Sequence, residues 1–304
     1  MSHTVIMFPG MGAQYAGMMS KFIKACPEQE TLINQVIDER AIYGFCTRLG
    51  LAPDAIFDEL KVQLSIHALN LAWWERTKSK FSDPVFCGHS LGLYAALVAA
   101  GYLSVEDSRN LIIEVFLTAW KQFSQNEKRT CVATTFKPID QSILVKCGIE
   151  AIALNNYSQT LIYADEDAIQ QWVKGNGENI LGVKWMDNRV PFHSCEMGEA
   201  CLSIEQQFID DLDFELTKEG GRGRVFSHIE AREILDEGDV RWHLAHQLRL
   251  PVRWLDMIEA LAAESPTEFV EVGPGRILSQ MVRWIDKSIK ARAVDSHKET
   301  NHVH

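Results

Sequence analysis

The chain is 304 residues long and 46% hydrophobic, enough to bury a substantial core in one large or two modest domains. With 41 acidic and 30 basic residues its formal net charge is −11, which argues against the basic footprint of a general nucleic-acid binder. Seven cysteines without a C-x-x-C pair suggest neither a disulfide framework nor a zinc site, and the apolar runs are too short for a signal peptide or a membrane span. A cytoplasmic protein is expected, with no metal, membrane or nucleic acid among its partners.

Thr4 to Phe8 reads as a compact strand, stopped by Pro9-Gly10-Met11-Gly12. That loop has the wrong spacing for a dinucleotide site, because the third glycine of the fingerprint would fall at Tyr15. Helical periodicity occupies much of Lys21 to Arg40, and again Leu64 to Lys80. The most informative stretch follows: Val85-Phe86-Cys87-Gly88-His89-Ser90-Leu91-Gly92. A short apolar strand running into G-x-S-x-G is a nucleophile elbow. Its sharp reversal leaves no room for Cβ atoms at Gly88 and Gly92, and it holds the Ser90 hydroxyl above a sheet at a helix N-terminus. Ser90 therefore reads as the nucleophile of an acyl-transfer enzyme, although an ordinary strand-turn-helix junction carrying serine gives the same five letters. A further helix through Leu111 to Phe123 has a capping-box-like start at Ser104 and Asp107.

Between Lys128 and Arg189 the pattern becomes strand (Thr130–Phe136), helix (Ile139–Lys146), strand (Glu150–Leu154), strand (Thr160–Ala164), helix (Glu166–Lys174) and strand (Ile180–Met186). This β-α-β-β-α-β order is the ferredoxin-like split unit. Beyond it come a helix from Ser194 to Leu212, a strand at Val225 to His228, a helix near Trp254 to Ala263, and a strand Phe269 to Val272 closed by Gly273-Pro274-Gly275. The expected fold class is α/β: an α/β-hydrolase-like large subdomain with a parallel sheet (residues 1–125 and 190–295), an inserted ferredoxin-like small subdomain (126–189), and a disordered tail (296–304).

A serine nucleophile needs a base, and His193 in Val190-Pro191-Phe192-His193-Ser194 sits where the insertion rejoins the main part, at a domain cleft. The same histidine could instead merely cap the helix after it. His89 is aimed away from Ser90 by strand alternation, so it packs or orients the elbow. His243 and His246 lie one helical turn apart, but no third metal ligand is evident, and solvated or core histidines are the better account. No acid is placed to orient His193, and a backbone carbonyl accepting from Nδ1–H is a sufficient substitute.

At this point the chain resembles the malonyl-CoA:acyl carrier protein transacylases and the related acyltransferase domains of polyketide synthases, from Val5 to about Ile285. Phe8-Pro9-Gly10-Met11-Gly12-Ala13-Gln14 resembles the family's opening, and Gln63 sits at its glutamine before the long helix. Gly88 to Leu97 is similar to its serine elbow, Pro191-Phe192-His193-Ser194 to its histidine motif, and Gln247-Leu248 with Pro251-Val252-Arg253-Trp254 to the segment whose glutamine carbonyl orients that histidine. Glu271-Val272-Gly273-Pro274-Gly275 with Leu278 resembles its closing signature. The resemblance implies ping-pong transfer through an acyl-Ser90 ester, from a phosphopantetheine thioester to a carrier-protein thiol, with no permanently bound cofactor. It also implies an oxyanion hole from the Met11 and Leu91 backbone N–H groups, and substrate contacts at Gln63, Leu93, Val115, Asn155 and Phe192.

Two departures matter. The family's malonate-binding arginine stands 25 residues after the serine, which here is Val115 (90 + 25 = 115). A guanidinium makes two charge-assisted bonds to a carboxylate and valine makes none, so a buried malonyl carboxylate would be unpaired. Arg109, Lys121 and Arg189 are poor substitutes. Met11 replaces a family glutamine, and Leu93 a glutamate that often follows the elbow. All three changes make the surroundings of Ser90 more apolar.

The sequence therefore points to a discrete, monomeric acyltransferase of polyketide or hybrid polyketide–peptide biosynthesis. It would move a carboxylate-free acyl group between an acyl thioester and an acyl carrier protein. Three rivals are a hydrolase clearing stalled carrier proteins, a malonyl transacylase with a relocated cation, and a non-catalytic carrier-protein scaffold. Candidate docking cations are Arg76, Lys78 and Lys80, and Arg283, Lys287, Lys290 and Arg292.

Overall fold

Two sheets organise the chain in the computed structural model, which describes residues 3–52, 57–186, 188–210, 212 and 223–295. The strands are β1 (Thr4–Phe8), β2 (Pro84–Gly88), β3 (Arg129–Thr135), β4 (Glu150–Asn156), β5 (Gln159–Ala164), β6 (Ile180–Trp185), β7 (Arg224–Phe226), β8 (Glu233–Ile234), β9 (Glu268–Glu271) and β10 (Ala291–Ala293). Six of them form a sheet in the order β10-β9-β1-β2-β7-β8, parallel except for the β7–β8 pair. The other four form an antiparallel sheet in the order β4-β5-β3-β6.

Strand β1 shows why the large sheet is interior. Ile6 and Phe8 enter one apolar cluster, Val5 and Met7 the other, so alternate side chains bury on opposite faces. Helices cover both faces, as parallel crossovers require. In chain order they are α1 (Met18–Ala25), α2 (Glu30–Val36), α3 (Glu39–Leu49), α4 (Phe57–Thr77), α5 (Gly92–Ala100), α6 (Val105–Phe123), α7 (Gln141–Lys146), α8 (Glu166–Gly175), α9 (Gly198–Ile204), α10 (Glu237–His246), α11 (Trp254–Ala263) and α12 (Ile277–Ile285). The first turn of α6 is capped as the sequence suggests, with the Ser104 hydroxyl accepting from Asp107 N at 2.9 Å.

Residues 129–185 run β-α-β-β-α-β, the order expected of that segment. Backbone hydrogen bonds join its sheet to the rest at Val252: Leu154 N donates to Val252 O at 2.8 Å, and Val252 N to Ile152 O at 3.0 Å.

The helical periodicity expected over much of Lys21 to Arg40 is present as parts of α1, α2 and α3, interrupted at Pro27 and restarted at Asp38, whose carboxylate accepts from Arg40 N at 3.0 Å. One helical expectation is corrected. The helix expected from Ser194 to Leu212 is a single turn at Cys195–Met197, then α9, then a wider π-type turn at Glu205–Ile209. Of that prediction only position 211 lies outside the described residues, and Leu212 is not helical; the expected 296–304 tail lies wholly outside them.

The elbow glycines are set by backbone approach. A Cβ on Gly92 would stand 2.0 Å from the Phe8 carbonyl oxygen, and one on Gly88 would stand 2.1 Å from the Gly92 carbonyl carbon. Neither obstacle is a flexible side-chain end, so strand and helix must part. Gly92→Ala is expected to destabilise by about 3 kcal/mol. Gly44→Ala, inside α3 with nothing within 4 Å of the added carbon, should stabilise by about 0.5–1 kcal/mol. Paired urea titrations check the contrast, and equal midpoints would remove the steric account.

Candidate active site

Ligand sites of parallel sheets gather beyond the carboxyl ends of neighbouring strands. Here β1 and β2 end side by side, and the chain leaving β1 meets the elbow leaving β2. His89 N donates to Phe8 O at 3.0 Å, and Gly92 N to His89 O at 3.0 Å. Ser90 occupies the left-handed region at φ 52°, uncommon for serine, so it is held strained at the tip of the turn with α5 starting two residues on.

His193 arrives from the opposite side, also at positive φ, 70°. Its Nε2 accepts from the Ser90 hydroxyl at 2.6 Å, while its Nδ1–H is directed at the carbonyls of Gln247 (2.8 Å) and Leu250 (3.2 Å). His193 N donates to Leu248 O at 2.6 Å, so one segment fixes both ring and backbone. These contacts define one tautomer, with Nδ1 protonated and Nε2 free to take a proton. The next residue is pinned as well: Ser194 Oγ donates to Glu150 at 2.5 Å and Cys195 N to the same carboxylate at 2.7 Å. Burial, opposed by those carbonyls, pushes the His193 imidazole down to about 4. It is therefore a neutral base at any ordinary working pH.

Ser90 stands between two cavities. One, of about 40 Å³, is bounded by Tyr94 of α5, Ile112 and Val115 of α6, and Leu248. The other, of about 120 Å³, runs toward the small sheet between Ile152, Ala153, Leu161, Met186 and Val252. Met11, Gln63, Ser90 and Phe192 line both, and Leu91 and Gln247 line the smaller one. No charged side chain is among those lining the smaller cavity.

Ser90, His193, Gln247, Met11, Leu91, Val115, Gln63 and Phe192 are thus brought together. Leu93 and Asn155 are not among the residues lining either cavity, and both expectations are corrected. Leu93 is fully buried in the core, because the turn after Ser90 directs it inward. Asn155 is engaged at both ends of its amide: it accepts from His89 Nε2 at 3.0 Å and donates to Gln159 at 3.1 Å. His89 thereby braces the elbow, packed 5.3 Å from the Trp254 ring.

The three substitute cations lie elsewhere. Arg109 donates to Gln35 O, Asn110 and Glu106, Arg189 donates to Ser124 O, and Lys121 is exposed. Several proposed docking cations are paired internally, Lys78 with Glu75 and Lys290 and Arg292 with Glu268. His243 and His246 diverge: His246 Nδ1 bonds to Trp242 O, while His243 lies with Glu230 and Asp239. Arg232 supplies that cluster's positive charge, 2.5 Å from Glu230 and 2.6 Å from Asp239.

Sequence reasoning missed the Leu250 carbonyl, the Glu150 clamp and His228, a fully buried imidazole 5.8 Å from the His193 ring. A backbone acceptor leaves no letter in a sequence, and Ser227-His228-Ile229 reads as an ordinary strand end.

Residues 5–298 match the acyl transferase domain family. The chain is 27% identical to the malonyl CoA-acyl carrier protein transacylase of Bacillus subtilis, over 97% of this chain and 94% of the relative. It is 28% identical to the polyketide biosynthesis protein ThaF of Burkholderia thailandensis, over 92% of this chain but 24% of that longer protein. Its fold is similar to the malonyl-CoA:acyl carrier protein transacylase of Xanthomonas oryzae pv. oryzae, with a TM-score of 0.81 at 24% identity over 96% of this chain and 94% of that one. It is also similar to a malonyl-transacylase solved with its type II polyketide acyl-carrier protein, with a TM-score of 0.82 at 22% identity over 97% of each chain.

Two pH profiles follow from the buried histidines. His193, at about 4, and His67, pushed down by burial to about 3, are neutral in the folded protein and return to about 6.5 when unfolded. Depressed values contribute stability that is complete above pH 6.5 and is lost as pH falls toward 4, because the unfolded chain binds the protons. Urea midpoints should decline steadily from pH 6.5 to pH 5. Ser90 acylation should stay level from pH 8 to pH 5.5, since the base remains free. A rate already halved at pH 6.5 would contradict this environment.

Proposed function

Because the chain belongs to the acyl transferase domain family, we propose that it is an acyl carrier protein S-acyltransferase whose acyl group bears no free carboxylate. The small cavity beside Ser90 carries this reading. Val115 and Ile112 form its wall, and it has room for about three water-sized groups, which suits a short neutral chain. A carboxylate placed there would lose its hydration without gaining a cation.

Ser90 Oγ attacks the thioester carbonyl while His193 Nε2 takes the hydroxyl proton. The Met11 and Leu91 backbone N–H groups receive the developing oxyanion. The C–S bond then breaks, and His193 returns the proton to the leaving sulfur. A carrier-protein thiol reverses the sequence: His193 takes its proton, the sulfur attacks the acyl-Ser90 ester, and the serine hydroxyl is restored. The larger apolar cavity is the path for the phosphopantetheine arm, donor and acceptor thioesters being the substrates and no resident cofactor being required. One chain supplies every group, so a monomer suffices. The partner is an acyl carrier protein, and the likeness to ThaF supports a place in polyketide or hybrid polyketide–peptide synthesis in the cytoplasm. We read residues 1–125 with 190–295 as an α/β-hydrolase-like part holding a ferredoxin-like insertion at 126–189, a division supported by the two sheets.

Intact-protein mass spectrometry with acetyl, butyryl and malonyl thioesters tests the assignment. An adduct should form on wild type, vanish in Ser90→Ala, and form about 10²-fold more slowly in His193→Ala. Neutral donors should load faster than malonyl, and Val115→Arg should shift the ratio toward malonyl while impairing the neutral donors. Malonyl loading faster than every neutral donor would return the chain to the activity for which its Bacillus relative is named. The ester should persist in buffer and discharge to a carrier thiol; rapid loss to water alone would make it a hydrolase.

A further inference from the structure

The last strand to end beside the elbow is β7, and two residues beyond it stands His228, wholly buried. Its ring meets that of His193 edge to face, with centroids 5.8 Å apart and planes at 86°. Among the described residues its ring nitrogens have the Gly88 backbone as a weak polar partner and no well-formed hydrogen bond. A buried imidazole so weakly partnered is costly, and what the fold gains at this position is an aromatic ring against that of His193. The backbone ties it to the same segment that holds the base: Arg253 N donates to His228 O at 2.6 Å, three residues after the Leu250 carbonyl that receives His193 Nδ1–H.

We propose that His228 is a positioning residue for the transfer reaction, an uncharged imidazole that backs the ring of His193 and holds its Nε2 on Ser90. The charged or titratable groups that act on it are three other histidines, His193, His89 and His243, with the Gly88 backbone as the weak attraction favouring its protonation. No carboxylate is among them. Burial and mutual repulsion keep His228 neutral when His193 takes the serine proton. An imidazolium then forms against an aromatic ring instead of against a second cation, a favourable arrangement in a dry site.

The inference rests on Ser90 and His193 being nucleophile and base, and the experiment separates the two. Acylation of the full chain by acetyl-CoA is followed by quenched intact-mass measurement from pH 5 to pH 8, in wild type, His228→Ala, His228→Phe and Ser90→Ala. His228→Ala should lower the acylation rate constant roughly 10-fold, the scale of a slightly misplaced base, with donor KM unchanged and an acid limb raised from below pH 5 into the measured range. His228→Phe, which keeps the ring and drops the nitrogens, should recover most of the rate. Wild-type rate and pH profile in the alanine variant would overturn the proposal. So would equal losses in both variants with an unmoved acid limb, which is what general loosening produces. If His228→Ala does not fold, His228→Asn takes its place, with the same outcomes. An adduct surviving in Ser90→Ala defeats the underlying assignment instead, whatever the His228 variants do.

Discussion

The imidazole proposed as the base, that of His193, is held by peptide carbonyls. His193 Nδ1–H is directed at the carbonyls of Gln247 and Leu250, and its own N–H at Leu248, so the hydrogen bond to Ser90 is only as well placed as residues 247–253. A neutral acceptor fixes the tautomer as a carboxylate would, but it does little to raise proton affinity. The consequence is a weak base that is always free, which suits a thioester: the leaving thiol needs less protonation than an amine. Placement then matters more than basicity. Both sheets contribute to it, β4 by pairing with Val252 and by clamping Ser194 through Glu150, and the large sheet by carrying the elbow.

Much of this was readable beforehand, for a definite reason. Gly88, Ser90 and Gly92 are written in the sequence because backbone meets backbone there, and no other residue type fits at the two glycines. Strand β1 and helix α11 were legible to the residue, since their periodicity is uninterrupted. The β-α-β-β-α-β segment was legible because strand-like and helical stretches follow one another closely and each helix is short and bounded. What escaped was of two kinds. The helix expected from Ser194 to Leu212 is split into a single turn, α9 and a π-type turn, a division with no separate letter in the sequence. Contacts made by backbone carbonyls, or by residues distant in sequence such as Glu150, Asn155 and His228, depend on tertiary approach and have no local signature.

Leu93 and Asn155 illustrate the limit of carrying roles by position. Both flank residues that line the cavities beside Ser90, yet one faces the core and the other is spent on His89. A role transfers only when the side chain's direction transfers with it. Direction is set by the turn at Ser90 and by the partners already claimed.

The same test strengthens the case at Val115. Ile112 and Val115, three apart on α6, share the face that lines the small cavity. Glu114, between them in sequence, turns the other way and pairs with Arg48 at 2.5 Å. Arg109, one turn before Ile112, is bound to a backbone carbonyl and two side chains from its own neighbourhood. To serve a carboxylate beside Ser90 it would have to abandon those contacts and cross an apolar wall. Helix α6 thus sends Arg109 and Glu114 away from the cavity and Ile112 and Val115 into it. The proposed preference for a neutral acyl group would thus rest on how the helix is rotated, not on a single substitution, so introducing one arginine at Val115 supplies the charge but not the polar surroundings that would hold it in place.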